Sequence, residues 1–158
     1  MRIENTKLGD IEIDDARVVT LPEGILGFSE ARRYVVLDVR EGSNLKWLLS
    51  IDRPELALVV ADPFSCYPEY QAVLADSDLE EISFRKTDEL SVMAIVTVRG
   101  RRREDTTVNL RAPIAVNLRT MVGKQVILPE ERWGVRVPLP VKTPSPSVAK
   151  DRRADAVR

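Results

Sequence analysis

The sequence predicts a mostly β fold: a small antiparallel β-barrel-like single domain with one or two short helices. Three observations carry this. Short runs rich in Val, Ile and Leu recur at intervals of roughly 8–14 residues, the spacing of all-β folds. Gly, Pro, Asp or Asn bound each run, so each ends in a turn. Between runs there is no stretch of helical periodicity long enough to serve as a crossover, which argues against a parallel βαβ sheet.

The strands are expected at Arg17–Leu21, Tyr34–Val39, Lys46–Ile51, Ala57–Ala61, Leu90–Val98, Thr106–Leu110, Ile114–Val116 and Gln125–Leu128. Pro22, Pro54, Pro63, Pro68 and Pro113 lack an amide donor, so they belong at strand starts, edges or turns. Gly24 and Gly27 flank Ile25-Leu26 and permit a tight corner. One short helix is expected at Ser77-Asp78-Leu79-Glu80, which has capping-box spacing with Ser77 as cap. Leu79 and Ile82 would then share its apolar face.

The 158 residues suffice for one core without staples. They divide into an ordered β domain, 1–140, and a tail, 141–158, which reads VKTPSPSVAKDRRADAVR. The tail has no aromatic residue and no periodicity, and it is expected to be disordered. It carries five of the 24 Lys and Arg and two of the 25 Asp and Glu, a charge of +3; the remainder of the chain carries 19 against 23, or −4.

Composition also narrows the chemistry. There is no histidine, which removes the commonest general base and metal ligand. The single cysteine, Cys66, cannot form an intrachain disulfide or a thiolate cage, and neither a metal nor another cofactor is expected. No apolar run approaches the ~20 residues of a membrane helix, and the N-terminus lacks the apolar core of a secretory signal. A cytoplasmic protein without a membrane partner is expected.

Three catalytic readings fail on context. Ser43-Asn44-Leu45-Lys46 has the Ser-x-x-Lys spacing, but it lies at a turn-to-strand junction rather than on a helix. Cys66 has no histidine to deprotonate it. Asp52, Asp62 and Glu69 stand beside prolines or in turns, where acids usually cap backbone. No catalytic residue is assigned, and an enzyme is not expected.

Two stretches are candidates for contact with partners. Arg99, Arg101, Arg102 and Arg103 follow a strong strand and could bind phosphate, though no aromatic residue interleaves to stack a base. A solvated hairpin tip is the simpler reading, so direct nucleic-acid binding is not expected; an RNA-contacting barrel using this run and the basic tail is the alternative. The other stretch, Asp62–Tyr70, holds three of the eight aromatic residues and two prolines. Rigid rings suit either core packing or a protein interface.

The chain resembles the FliW family of flagellar assembly factors in LPEGILGF (Leu21–Phe28), WLLSIDRPELALVVADPFSCYPEY (Trp47–Tyr70) and VNLRAPIAVNLRTMVGKQVIL (Val108–Leu128), in order and spacing, from about Arg2 to Leu139. The resemblance implies a non-enzymatic barrel that binds flagellin in the cytoplasm. It also implies binding to the RNA-binding translational regulator CsrA, so that flagellin synthesis follows export. Asp62, Phe64, Tyr67 and Tyr70 match the family's acidic-aromatic stretch and are the expected partner contacts, with Asn109 and Asn117 added from the flanks of Ala-Pro-Ile. Arg99–Arg103 and the tail lie outside the family pattern.

Overall fold

A computed structural model describes residues 1–100, 105–129 and 132–140. It contains eleven strands among these residues: β1 (Arg2–Thr6), β2 (Gly9–Glu12), β3 (Val19–Thr20), β4 (Arg33–Asp38), β5 (Leu45–Ser50), β6 (Ala57–Ala61), β7 (Leu90–Val98), β8 (Thr106–Val108), β9 (Ile114–Asn117), β10 (Val122–Gln125) and β11 (Val137–Pro138). Two short helices, α1 (Pro63–Cys66) and α2 (Asp76–Glu81), join β6 to β7. The expected mostly β, barrel-like architecture is observed.

β7 closes the ring. One edge pairs with β6 through Val59↔Val96 and Ala61↔Ala94. The opposite edge is shared: Leu90–Met93 pairs with β9, and Val96–Val98 pairs with β8. From β6 the sheet continues antiparallel through β5, β4 and β3, while β9 continues to β10. β10 then meets β3 in a single parallel pair, Val122↔Thr20. The closed ring therefore reads β3-β4-β5-β6-β7-β9-β10, with β8 and β11 as a flap on the far half of β7. Closure leaves the ring strands without an open edge along most of their length, which removes a template for edge-to-edge pairing.

Alternation along the strands sorts side chains between the barrel interior and its outer surface. Val19, Tyr34, Leu48, Val60, Met93, Ile114 and Val116 point inward and form one buried cluster. Outward residues of β6 to β8, including Ala61, Val92, Ala94, Val96 and Val108, are covered by Phe64, Tyr70 and Trp133. Outward Val35 and Leu49 are covered by Ile3 and Ile13 of the β1–β2 hairpin region. Each fully buried aliphatic side chain contributes about 1.5–3 kcal/mol against exposure.

The strands expected over Ala57–Ala61 and Leu90–Val98 have those limits. Gly24 and Gly27 form the expected corner, both with positive φ (67° and 90°). Two expectations need correction. The last expected strand, Gln125–Leu128, lies earlier, at Val122–Gln125; Val126 and Leu128 instead donate their amides to the Pro113 and Arg111 carbonyls. Ser77 is not a cap: α2 begins at Asp76, with Ala75 before it and no side-chain cap bond. Its anchor is Lys124 on β10, whose Nζ lies 2.9 Å from Asp78 and 2.5 Å from Glu81. The β1–β2 hairpin was not expected, because its outward positions are polar and its apolar positions few. The basic segment 101–103 and the tail 141–158 fall outside the described residues.

Candidate functional site

The acidic-aromatic stretch begins where β6 leaves the barrel. Asp62 holds an extended conformation and accepts the amide of Phe64 at 2.9 Å, with Pro63 in the first helical turn. An acidic cap followed by proline starts a helix, because proline has the required φ and no amide to leave orphaned. The turn swings the next rings back over the barrel. Phe64 and Tyr70 are both only 3% exposed. Their rings lie 5.5 Å apart, and Tyr70 meets Trp133 edge-on at 4.9 Å. The Tyr70 hydroxyl donates to the Leu110 carbonyl at 2.7 Å. Burial pushes the Tyr70 phenol well above its usual range.

The six residues expected at a partner surface are thus not one surface. Phe64 and Tyr70 are interior and present no ring face to a partner, because the β6–β7–β8 outer face needed covering. Asn117 is fully buried; its amide donates to the Ile82 carbonyl at 3.0 Å and to Asp88 at 3.1 Å. Asn109 accepts the amides of Arg111 and Ala112, shaping the turn into Ala-Pro-Ile. Tyr67 is half-buried and donates to the Pro138 carbonyl, pinning β11. Asp62 is placed differently, at the rim of an open cleft.

That cleft is the mouth of the barrel. It encloses about 680 Å³, and its floor is the upper layer of the interior: Val19, Val36, Val60, Met93 and Val116. The register explains the rim. Asp38 opposes Lys46 and Lys46 opposes Val60, so the inward positions turn polar one step above the apolar layer. Arg17, Glu41 and Asp62 complete the charged part of the rim. Lys46 forms an ion pair with Asp38. That hydrogen bond and charge, with Arg17 beyond, hold the Asp38 carboxyl below its usual range.

The other features singled out in the sequence settle into structural roles. Ser43 accepts the Leu45 amide at 3.1 Å, and Lys46 faces Asp38 rather than Ser43. Burial, with Asp62 adding to it, pushes the Cys66 thiol up to about 11, so it is not a thiolate near neutrality. Asp52 lies at the opposite end of the barrel from Asp62, holding the amides of Arg32 and Arg33 at 2.9 Å. No cluster of metal-ligating side chains occurs among the described residues. No helix among them is long and apolar enough to cross a membrane. The cleft floor was missed by sequence reading because Val19, Met93 and Val116 come from three strands spread over about 100 residues of chain. Alternation within each strand was the available signal.

Fold and cleft define a closed-barrel protein whose open mouth offers apolar area ringed by charge. Comparison with known proteins identifies the group. The model of the FliW protein family matches residues 2–139. The flagellar assembly factor FliW of Geobacter sulfurreducens is 36% identical over 87% of this chain and 86% of its own length. That of Thermosipho africanus is 33% identical over 84% and 91%. A crystal structure of the flagellar assembly factor FliW superposes with a TM-score of 0.80 at 34% identity, covering 90% of this chain and 99% of the other. The chain belongs to the FliW family of flagellar assembly factors.

Proposed function

We propose that this chain is a cytoplasmic partner switch. It binds flagellin and, when flagellin is scarce, binds the translational regulator CsrA and removes it from action. The observation that carries the reading is the family match across residues 2–139, with relatives named as flagellar assembly factors over most of their length. Physical character supports it. The portion ahead of the tail carries −4, and an RNA-binding regulator is basic, so complementary charge would speed encounter. The cleft supplies contact area without reactive groups on its floor.

A switch requires each partner to weaken the other, and linkage makes that effect reciprocal. A standard interface takes about 800 Å² from each partner, against a total surface of 9193 Å² here. Two interfaces can overlap on a body of this size. The test adds saturating flagellin to a preformed complex with the regulator and follows release by size exclusion and calorimetry. Release is the expected result. A stable ternary complex with unchanged regulator affinity would remove the switch and leave two independent binding events.

A further inference from the structure

We infer that the seam between β3 and β10 is a built-in opening line of the barrel, with Met121 as its catch. The seam opens from the mouth while the opposite end stays closed. This goes beyond the binding role and does not depend on which partner binds.

The seam is the thinnest join in the ring. β3 and β10 share one residue pair, Val122↔Thr20. β3 meets β4 through two pairs, and the Leu21 amide extends that ladder to the Arg32 carbonyl at 2.7 Å. β9 and β10 share four pairs, and β4 and β5 share five. At Gly123 an added Cβ would lie 2.9 Å from a Leu21 methyl carbon, so the segment after β3 packs there against bare backbone. Lys124 reaches Glu23 across the seam at 3.9 Å, and Glu23 is 68% exposed, so that pair contributes little. The closer partners of Lys124 are Asp78 and Glu81 of α2. Asn117 and Thr120 tie the Ile82 carbonyl, at the end of α2, to the β9–β10 side. Those ties do not cross the seam.

The mouth end of the seam depends on a strained residue. Met121 has φ 56°, a region that bulky residues rarely occupy. Its amide donates to the Asn117 carbonyl at 2.7 Å, which closes the turn from β9 to β10. Short hairpin turns often place a left-handed residue before the second strand, where glycine costs least. In that conformation the Met121 carbonyl accepts the Thr20 amide at 2.9 Å. Two states follow. With Met121 left-handed, its carbonyl faces β3 and the seam is shut. With Met121 relaxed to the extended region, the carbonyl turns away and the Thr20 amide loses its acceptor. Strain of this kind collects at switch points and persists only where the surroundings enforce it. Here packing enforces it, because the Met121 side chain lies against the interior cluster that includes Val19. Val19 and Met121 line the mouth from opposite sides of the seam. Opening parts them and widens the mouth. Toward the other end, Gln125 holds the Leu26 amide at 2.8 Å and serves as the hinge.

Amide hydrogen exchange of the full chain, followed by NMR, tests this. Thr20 and Leu21 are neighbours, yet their amides bond across opposite edges of β3, to Met121 and to Arg32. Opening of the seam exposes the first and spares the second. Corrected for intrinsic rates, Thr20 is expected to exchange at least about tenfold faster than Leu21, the mark of local rather than global opening. Ile51, whose amide bonds the Arg33 carbonyl on β4 at 2.9 Å, should exchange as slowly as Leu21. Met121→Ala and Met121→Gly both remove the side chain and differ in the cost of the left-handed conformation. Thr20 should exchange about fivefold slower in the glycine variant than in the alanine variant, with Leu21 and Ile51 alike in the two. Equal rates at Thr20 and Leu21 in the unmodified chain would overturn the proposal, because β3 would then leave as a unit or the ring would open all at once. So would equal Thr20 rates in the two variants, or a slowing shared by all three amides. The comparison within the unmodified chain decides the matter even if a variant fails to fold.

Discussion

The two ends of the barrel are built from the same strands but finished differently. At the mouth, the inward positions change from Val36, Val60 and Val116 to Asp38, Lys46 and Asp62, and among the described residues the cleft stays open. At the other end, the segment after β3 turns back as a plug. Leu21, Ile25 and Ala31 are buried there beneath the Gly24–Gly27 corner. The Leu26 amide donates to Gln125 Oε1 at 2.8 Å, and Gln125 Nε2 donates to the Ala112 carbonyl at 3.1 Å. Arg53 bonds Glu30 at 2.6 Å and lies over the Phe28 ring at 5.7 Å. Stability is concentrated where the barrel is plugged, and contact area is offered where it is open.

The strongest way to break this contrast is along β9, which runs from one end to the other. Ile114→Ala at the plugged end removes a fully buried side chain and should cost about 2–5 kcal/mol. Leu118→Ala at the mouth should stay within about 0.5 kcal/mol. Urea denaturation of the two variants checks the difference; equal losses would mean that the mouth is as tightly packed as the plug. Gly24→Ala sharpens the same point through the backbone. Its φ is 67°, and an added Cβ would lie 2.7 Å from the Phe28 carbonyl oxygen and 2.7 Å from the Ser29 Cα. The loss should exceed ~1 kcal/mol, because strain and clash act together, with thermal unfolding as the measure.

Acid should loosen both ends, but the plug more. Burial works against the Asp52 carboxylate, yet the amides of Arg32 and Arg33 and the Arg33 side chain hold its pKa below the usual value. A lowered folded pKa gives stability that is present above the unfolded value of about 3.9 and is lost as pH falls through the folded one. Asp38 at the mouth is lowered in the same direction by Lys46 but is well exposed. Asp52→Asn should therefore flatten the acid limb of a stability–pH curve more than Asp38→Asn does. The smallest effect belongs to Tyr34, whose buried hydroxyl has no hydrogen-bond partner among the described residues. Burial, with Glu30 and Asp52 nearby, pushes its pKa up to about 12. Tyr34→Phe should change stability by no more than about 1 kcal/mol, toward greater stability, read from the same denaturation curves.

The contrast between the ends also separates what the sequence made legible from what it did not. Local signals carried through: β6 and β7 are long Val- and Ile-rich runs, and the Gly24–Gly27 corner needs a conformation that glycine provides. Non-local features did not. β3 is two residues long, and its parallel pairing with β10 joins positions about 100 residues apart, so no window of sequence contains it. Phe64 and Tyr70 could have been anchors or core by composition alone; only the path of α1 across the outer face of β7 decides, and it makes them core. Lys124 looks like an ordinary surface lysine until α2 brings Asp78 and Glu81 to it.

Closure through β3 and β10 has a consequence for synthesis. A nascent chain that has made β3 to β7 already holds most of the sheet, but the inner half of β7 has no β9 to pair with and β3 has no β10. Apolar edges then wait in the open until residues beyond 122 leave the ribosome. Contacts between such distant positions form slowly, and unpaired edges are where growing chains aggregate. The last ring strand to be translated is thus the one that ends the hazard, and a truncation just before β10 should yield an insoluble product rather than a smaller folded domain.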